Sequence, residues 1–282
     1  MIIFNGTFVI LAAGLGSRFN NMSSSIPKPL IEFGGRPLID YVIYNIMDNF
    51  PELDKIFVVI GYKKHILADY INQLNYSFSC ELVCLEAPHY KQGNGHSILA
   101  LESSITEPFF LTMCDHLFED RIYQTLKMGI EKEVDLSLCI DTTPDPTIQV
   151  DDATKVLLDQ KNQITQIGKN LLSWTAFDTG LFYVSPLIFQ RLNQLSKKYL
   201  TLTDGVTEMI RCRDRVKGID VSGCRWADID TFSVLQHAEE RLLDYVTPAL
   251  SDHRLVTVSQ ISPPNTSTTY LEALKSYQVE DD

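Results

Sequence analysis

The chain has 282 residues, room for one large domain or two modest ones. Hydrophobic residues make up 45% and charged residues 21%, the profile of a folded globular chain and not of a disordered one. Its 24 Lys+Arg against 36 Asp+Glu give a net charge of -12, which argues against general nucleic-acid binding and against docking on anionic lipid, though not against a phosphorylated substrate in one locally basic pocket.

The first segment, MIIFNGTFVILAAG, has no Lys or Arg before its apolar stretch and runs straight into a Gly-rich loop. It reads as a buried strand over Phe8–Ala12 and not as a signal peptide, and no apolar run reaches the roughly 18–20 residues of a membrane span. Residues 37–47 follow with Leu38/Ile39, Val42/Ile43 and Ile46/Met47 at helical spacing behind Pro37. A strand is predicted at 56–61, a helix near 64–73, a strand at 81–86 and a helix near 95–104. A buried strand at 109–114, a helix near 119–131 and a strand at 136–140 continue the alternation. Such βαβ units imply an α/β fold, a doubly wound, mainly parallel, Rossmann-like mixed sheet.

After residue 150 the segments VLLD, ITQIG and AFDTGLFYV predict shorter strands that extend the sheet or form a lid, interrupted by helices near 186–195 and 204–212. Thr231 predicts the N-cap of a helix with Leu235, Ala238 and Leu242 on one face. The expected domain is 1–245, followed by a partly irregular extension, 246–282, with room for one short helix in TYLEALKSYQ. Six cysteines at irregular spacing, without a CxxC pair, read as reduced buried thiols of a cytoplasmic protein.

The chemistry concentrates in LAAGLGSRFNNMSSSIPKPL, residues 11–30. Small residues after the strand let backbone approach a ligand, and exposed N–H groups there can cradle phosphate oxygens. Arg18 offers a bidentate phosphate donor, and Lys28 a point charge bracketed by prolines 27 and 29. The loop lacks the Gly-Lys-Ser/Thr of a P-loop, and Phe19 stands where a dinucleotide fingerprint needs its third glycine. Asp115 follows a buried strand, as a Mg²⁺ ligand or a helix N-cap. In a strand, Asp228 and Asp230 would face the same way. KQGNGHS at 91–97 opens a helix whose N-terminus favours polar or anionic contacts.

The run LAAGLGSRF…PKPL resembles the signature of the nucleotidyltransferases that make sugar and alditol nucleotides, and the resemblance covers roughly residues 8–245. It implies a fold of the nucleotide-diphospho-sugar transferase type. It implies nucleotide contacts from Leu11, Ala12, Ala13, Gly14, Gly16 and Ser17, from Gln92, Gly93, Asn94, Gly95 and Ser97, and from Cys114. Arg18 and Lys28 would neutralise phosphate charge, and Mg²⁺ would sit on Asp115 with Asp228 or Asp230. GNGHS, DATKV, QITQIGK and AFDTGLF resemble cytidylyltransferases acting on inositol 1-phosphate. By that likeness Lys169 contacts the acceptor phosphate, Asp178, Thr179 and Gly180 shape the acceptor pocket, and His116 is a pocket residue, not a metal ligand. The reaction implied joins CTP to a small phosphorylated alcohol, giving a CDP-alcohol and pyrophosphate. The alternatives are a phosphonate or phosphocholine-type acceptor, a sugar 1-phosphate, and a catalytically inactive nucleotide sensor.

Overall fold

Alternation decides how the first strand, β1 (Thr7–Leu11), is buried: Phe8 and Ile10 face one apolar cluster, Val9 and Leu11 the other. The computed structural model describes residues 6–22, 26–75, 80–143 and 152–246. The short pair β2 (Glu32–Phe33) and β3 (Arg36–Pro37) leads into α1 (Leu38–Asn49), followed by β4 (Lys55–Ile60), α2 (Lys64–Asn75) and β5 (Glu81–Glu86). Then come α3 (Asn94–Leu99), β6 (Phe109–Met113), β7 (His116–Phe118), α4 (Asp120–Gly129) and β8 (Leu136–Asp141). The second half holds β9 (Lys155–Leu158), β10 (Ile164–Gly168), β11 (Ala176–Val184), α5 (Leu187–Asn193), α6 (Leu202–Arg211), β12 (Val216–Asp220), β13 (Trp226–Asp228) and α7 (Phe232–Val246).

β1 pairs in parallel with β4 on one side and with β6 on the other, and β4 carries β5 outward. The chain therefore builds β1, β4 and β5 in one direction, then returns to start again at β6. A crevice opens at such a reversal beyond the strands' carboxyl ends. Leu11 is level with Met113 across β1 and β6, so the Gly-rich loop and Asp115 leave the sheet side by side.

β11 then runs antiparallel to β6 and β8, and its first residues pair with β9. β12 adds in parallel outside β8. The far half of this nine-stranded sheet is thus mixed, while the β5–β4–β1–β6 half is parallel. Helices α1, α2, α4 and α7 cover one face, and α3, α5 and α6 the other.

The predicted helix near 95–104 is shorter. After Leu99 the bonds tighten to Leu101 N–H on Ile98 O (2.9 Å), Glu102 N–H on Leu99 O (3.2 Å) and Ser104 N–H on Leu101 O (2.8 Å). Glu102-Ser103-Ser104 sits in these turns, where serines compete with helical bonding. Thr231 caps α7 as expected, its hydroxyl accepting from Val234 N–H at 3.3 Å. Of the six unpaired cysteines, Cys80, Cys114 and Cys139 are buried, but Cys84, Cys212 and Cys224 are only half-buried. The expected extension, with its short helix, lies outside the described residues apart from Val246. Among the described residues no helix is long and apolar enough to cross a membrane.

α1 and α2 are joined by one buried polar contact. The Tyr70 hydroxyl lies 2.8 Å from both oxygens of Asp40. Burial pushes the Asp40 carboxyl up to about 6, against the Tyr70 bond and Arg36, which pull it down. Tyr70→Phe leaves that carboxylate buried without its donor, and the expected loss is about 1–3 kcal/mol of stability. Chemical denaturation should show it, with turnover per folded molecule unchanged; an unaltered midpoint would show that the pair does not hold the helices.

Candidate active site

Three chain segments converge on one ammonium group. Pro27 sets an extended entry for the short turn Lys28–Leu30, and this turn carries Lys28 inward until only 6% of the residue is exposed. Gly16 makes room for it. Its φ is +62°, and a Cβ there would stand 2.8 Å from Lys28 Cβ, closer than side chains pack. Lys28 Nζ donates to Asp115 and, at 2.6 Å, to Asp230. Burial works against its charge, but Asp115 and Asp230 outweigh it and hold the ammonium well above the usual lysine range.

Asp115 and Asp230 are 115 positions apart in sequence, and a two-stranded antiparallel ribbon joins them. β7 and β13 place Asp228 opposite His116. One residue further, Ile229 N–H donates to Asp115 O at 2.8 Å. The expectation that Asp228 and Asp230 share one strand face does not hold, because the strand ends at Asp228. Asp230 N–H turns back on Asp228 O at 3.0 Å, and the two carboxylates part. Asp230 goes to the cations, Lys28 and, at 2.8 Å, Arg18 Nη1. Asp228 stays with Asp115 and His116, their ligand-type atoms within 4.8 Å of one another.

This cluster fits a divalent cation. Asp228 Oδ1 is buried with no hydrogen-bond donor among the described residues, and the nearest charge is His116 Nδ1 at 3.8 Å. Burial, and then the neighbouring Asp115 and Asp230, push the Asp228 carboxyl up to about 7 against the pull of His116. Asp115 lies on the other side of the ledger: burial raises it, but Lys28 and His116 hold it well below the usual carboxylate range. His116 Nδ1 bonds Asp115 Oδ1 at 2.8 Å, and Asp228 and Asp115 overcome burial to lift the imidazole to about 9. In this cluster Asp115 and Asp228 offer carboxylate oxygens and His116 a ring nitrogen.

A cavity of about 620 Å³ opens over this cluster. Its walls include Leu11, Ala13, Gly14, Gly16, Ser17, Arg18 and Lys28 from the first loop, Gly93, Asn94 and Ser97 from the start of α3, and Cys114, Asp115 and His116 after β6. Lys169, Asp178, Gly180, Asp228 and Asp230 complete the expected set. Four residues named from the sequence lie outside this lining. Ala12 N–H is tied to Val59 O, and Gln92 O and Gly95 N–H to the Leu200 backbone. Thr179 is fully buried on the opposite side of β11, where its hydroxyl donates to Cys139 O at 2.9 Å.

The acceptor side is fixed by a close approach. Gly180 has φ +85°, and a Cβ there would fall 2.2 Å from His116 Cδ2. Asp178 Oδ1 accepts from Gly180 N–H at 2.8 Å, and burial pushes its carboxyl up to about 6. Lys169 Nζ lies 2.5 Å from Asp152 Oδ1, whose other oxygen takes Arg18. Asp152 was not named from the sequence as a site residue, although it opens the DATKV segment. Tyr90, Lys91, Tyr199, Thr201 and Trp226 also line the cavity. Lys91 opens the KQGNGHS segment, Trp226 lies in β13 two residues before Asp228, and the others come from connections.

What the cavity supplies is charge of both signs at the reversal of an α/β sheet. Residues 8–147 match the MobA-like NTP transferase domain. It is similar to the bifunctional IPC transferase and DIPP synthase of Aquifex aeolicus, 29% identical over 246 residues, which cover 87% of this chain and 54% of that protein. The bifunctional protein GlmU of Methanococcus maripaludis is 25% identical over 256 residues, 88% of this chain and 58% of that one. The chain thus spans about half the length of these curated relatives. Among solved structures, the inositol-1-phosphate CTP transferase from T. maritima superposes with a TM-score of 0.76 at 24% identity, covering 88% of this chain and 99% of that one. A UDP-glucose pyrophosphorylase complexed with UDP-glucose gives 0.71 at 19% identity, covering 83% and 97%.

Lys28 sits on a short turn, which by itself suggests that its removal spares the fold. Its burial between two carboxylates says otherwise. Lys28→Ala should cost about 1–3 kcal/mol, because two half-buried carboxylates lose a shared cation while Arg18 and His116 remain. Arg18→Ala, at a half-exposed position, should leave the melting temperature within a degree or two, a loss of about 0–1 kcal/mol. Thermal melts of the two variants side by side check this, and equal stability would show that the buried ion pairs carry no weight.

Proposed function

We propose that the chain is a Mg²⁺-dependent cytidylyltransferase that joins CTP to inositol 1-phosphate, releasing pyrophosphate. The observation that carries the reading is the line of cations, Lys28 and Arg18, set against the Asp115–Asp228 carboxylates at the mouth of the sheet reversal. Cytosine and inositol 1-phosphate are favoured by the GNGHS, DATKV and FDTG segments and by the names of the relatives above.

The acceptor phosphate oxygen attacks the α-phosphorus, a P–O bond forms there, and the bond to the leaving pyrophosphate breaks. A phosphate monoester is anionic near neutral pH, so no side chain has to take its proton. The residues orient and neutralise. Backbone N–H groups of the Gly14–Ser17 loop face the triphosphate, and Arg18 and Lys28 meet its charge as pyrophosphate departs. Lys169 holds the acceptor phosphate, and Asp178, whose raised carboxyl keeps a proton below about pH 6, offers hydrogen bonds to the polyol hydroxyls. Asp115 and Asp228 would hold Mg²⁺, which supplies Lewis-acid polarisation of the phosphate oxygens when bound.

Two measurements test this. Pyrophosphate release should be fastest with CTP and inositol 1-phosphate among CTP, UTP, GTP and ATP paired with inositol 1-phosphate, phosphocholine, 2-aminoethylphosphonate and glucose 1-phosphate. A higher kcat/KM for another acceptor with CTP overturns the acceptor, and one for another nucleotide overturns the base. EDTA should abolish turnover. Asp228→Asn should then raise the Mg²⁺ concentration for half-activity and lower kcat about a hundredfold or more, worth about 3 kcal/mol of transition-state stabilisation. Asp230→Asn should leave that Mg²⁺ concentration close to the wild-type value, since its carboxylate belongs to the cations. The reverse ranking would make Asp230 the ligand.

A further inference from the structure

The charged groups of the cavity form one alternating line. Lys169 Nζ lies 2.5 Å from Asp152 Oδ1, and Asp152 Oδ2 takes Arg18 Nη1. The same Arg18 nitrogen lies 2.8 Å from Asp230 Oδ2, whose Oδ1 is 2.6 Å from Lys28 Nζ, and Lys28 ends on Asp115. Cation and carboxylate alternate from the acceptor lip to the buried metal cluster. Four of these six residues, Lys169, Arg18, Lys28 and Asp115, have a part in the proposed reaction. Asp152 has none, yet it is the link between the nucleotide cations and the acceptor cation.

Asp152 is not there for the fold. Its side chain is 43% exposed, and those of Arg18 and Lys169 are 48% and 49% exposed. Ion pairs in water of this kind contribute little to stability. Their geometry, by contrast, matters to a reaction between two anions. In-line transfer needs the attacking oxygen about 3–3.5 Å from phosphorus, so the cations that hold the two phosphates must themselves lie close together. Arg18 and Lys169 are long, flexible and of like charge, and they come from separate loops, one after β1 and one after β10. Left alone, repulsion and side-chain entropy drive them apart. A carboxylate with one oxygen on each opposes both. The hydrogen bond from Lys169, and then the charges of Arg18 and Lys169, keep Asp152 below the ordinary carboxylate range, so it stays anionic at neutral pH.

We propose that Asp152 is a positioning residue for the transfer step, holding Arg18 and Lys169 on one carboxylate so that the nucleotide and acceptor phosphates are presented at reacting distance. This rests on the reading above, in which Arg18 meets the nucleotide and Lys169 the acceptor. It gives Asp152 no contact with the reacting atoms. It also separates two effects of removing the carboxylate. The cations lose a competing anion, so phosphates bind as well as before or better. They also lose their common anchor, so bound phosphates react more slowly.

The test is steady-state pyrophosphate release by the full chain and by its Asp152→Asn and Asp152→Glu variants, with CTP and inositol 1-phosphate each varied, alongside thermal melts. For Asp152→Asn the expected result is a kcat lowered about ten- to a hundredfold, with neither KM raised more than about threefold and the melting temperature unchanged. Asp152→Glu, which keeps the charge, should recover most of the lost kcat. A wild-type kcat in Asp152→Asn, or a loss confined to KM, overturns the positioning role, as does a loss that tracks a lowered melting temperature. Failure of the wild type itself to use this substrate pair overturns the substrate reading instead. The ratio of variant to wild type, taken with the pair the wild type does turn over, then decides on Asp152.

Discussion

A buried ammonium shared by two half-buried carboxylates is the constraint on which the site depends. Lys28 is drawn into the interior only because Asp115 and Asp230 are there to receive it. Each of the three would be a costly buried charge without the others. The triad also joins the turn after the Gly-rich loop, the end of β6 and the segment beyond β13. Two backbone features make the meeting possible. Gly16 lets the first loop lie against the Lys28 stem, and the β7–β13 ribbon brings residues 228–230 beside residue 115.

The sheet explains why the triad stands where a nucleotide would be held. Parallel β1 and β6 end side by side at the point where the strand order reverses, so the loops beyond them border a crevice. Antiparallel β11 then forms a second wall. Its Gly180 packs against the His116 ring so closely that any side chain would displace the imidazole, and Thr112 Oγ1 pins the Gly180 carbonyl at 3.0 Å. The β11 wall and the acidic cluster are therefore packed directly against each other. This suits a reaction whose rate depends on holding two phosphates in register.

Much of this was legible in the sequence, and the divide between what was and what was not is physical. Strands such as IFVVI, ELVCLE and AFDTGLFYV, and helices with apolar pairs four residues apart, announce themselves through local periodicity. The loop cations and Asp115 were legible because small residues, Arg and Lys follow a buried strand at fixed spacing. β7 and β13, three residues each, are too short to carry a period, and their pairing is set by contacts more than a hundred residues apart. Hence the different duties of Asp228 and Asp230 could not be read locally: a turn after Asp228 separates two carboxylates that an extended strand would align. Thr179 is a different case. β11 is irregular between Asp178 and Phe182, with Gly180 at positive φ, so regular alternation could not settle in advance which way Thr179 faces. Asp152 left no local trace, because its meaning lies wholly in what it touches.

The charge balance of the site bears on the form in which a nucleotide enters. Lys28, Arg18 and Lys169 are matched by Asp115, Asp230 and Asp152, and Asp228 faces His116. The protein as a whole carries a net charge of -12. A bare triphosphate would thus meet a site with no positive charge to spare and an exterior that repels it, with screening limited to a Debye length of about 8 Å at physiological salt. Two changes relieve this. Lys28 can exchange Asp115 for phosphate oxygens while Arg18 keeps Asp152, and Asp115, so released, would share with Asp228 a divalent cation that arrives with the nucleotide. Burial and crowding hold Asp228 near its midpoint at neutral pH, which makes it the carboxylate whose ionisation such a cation would most favour.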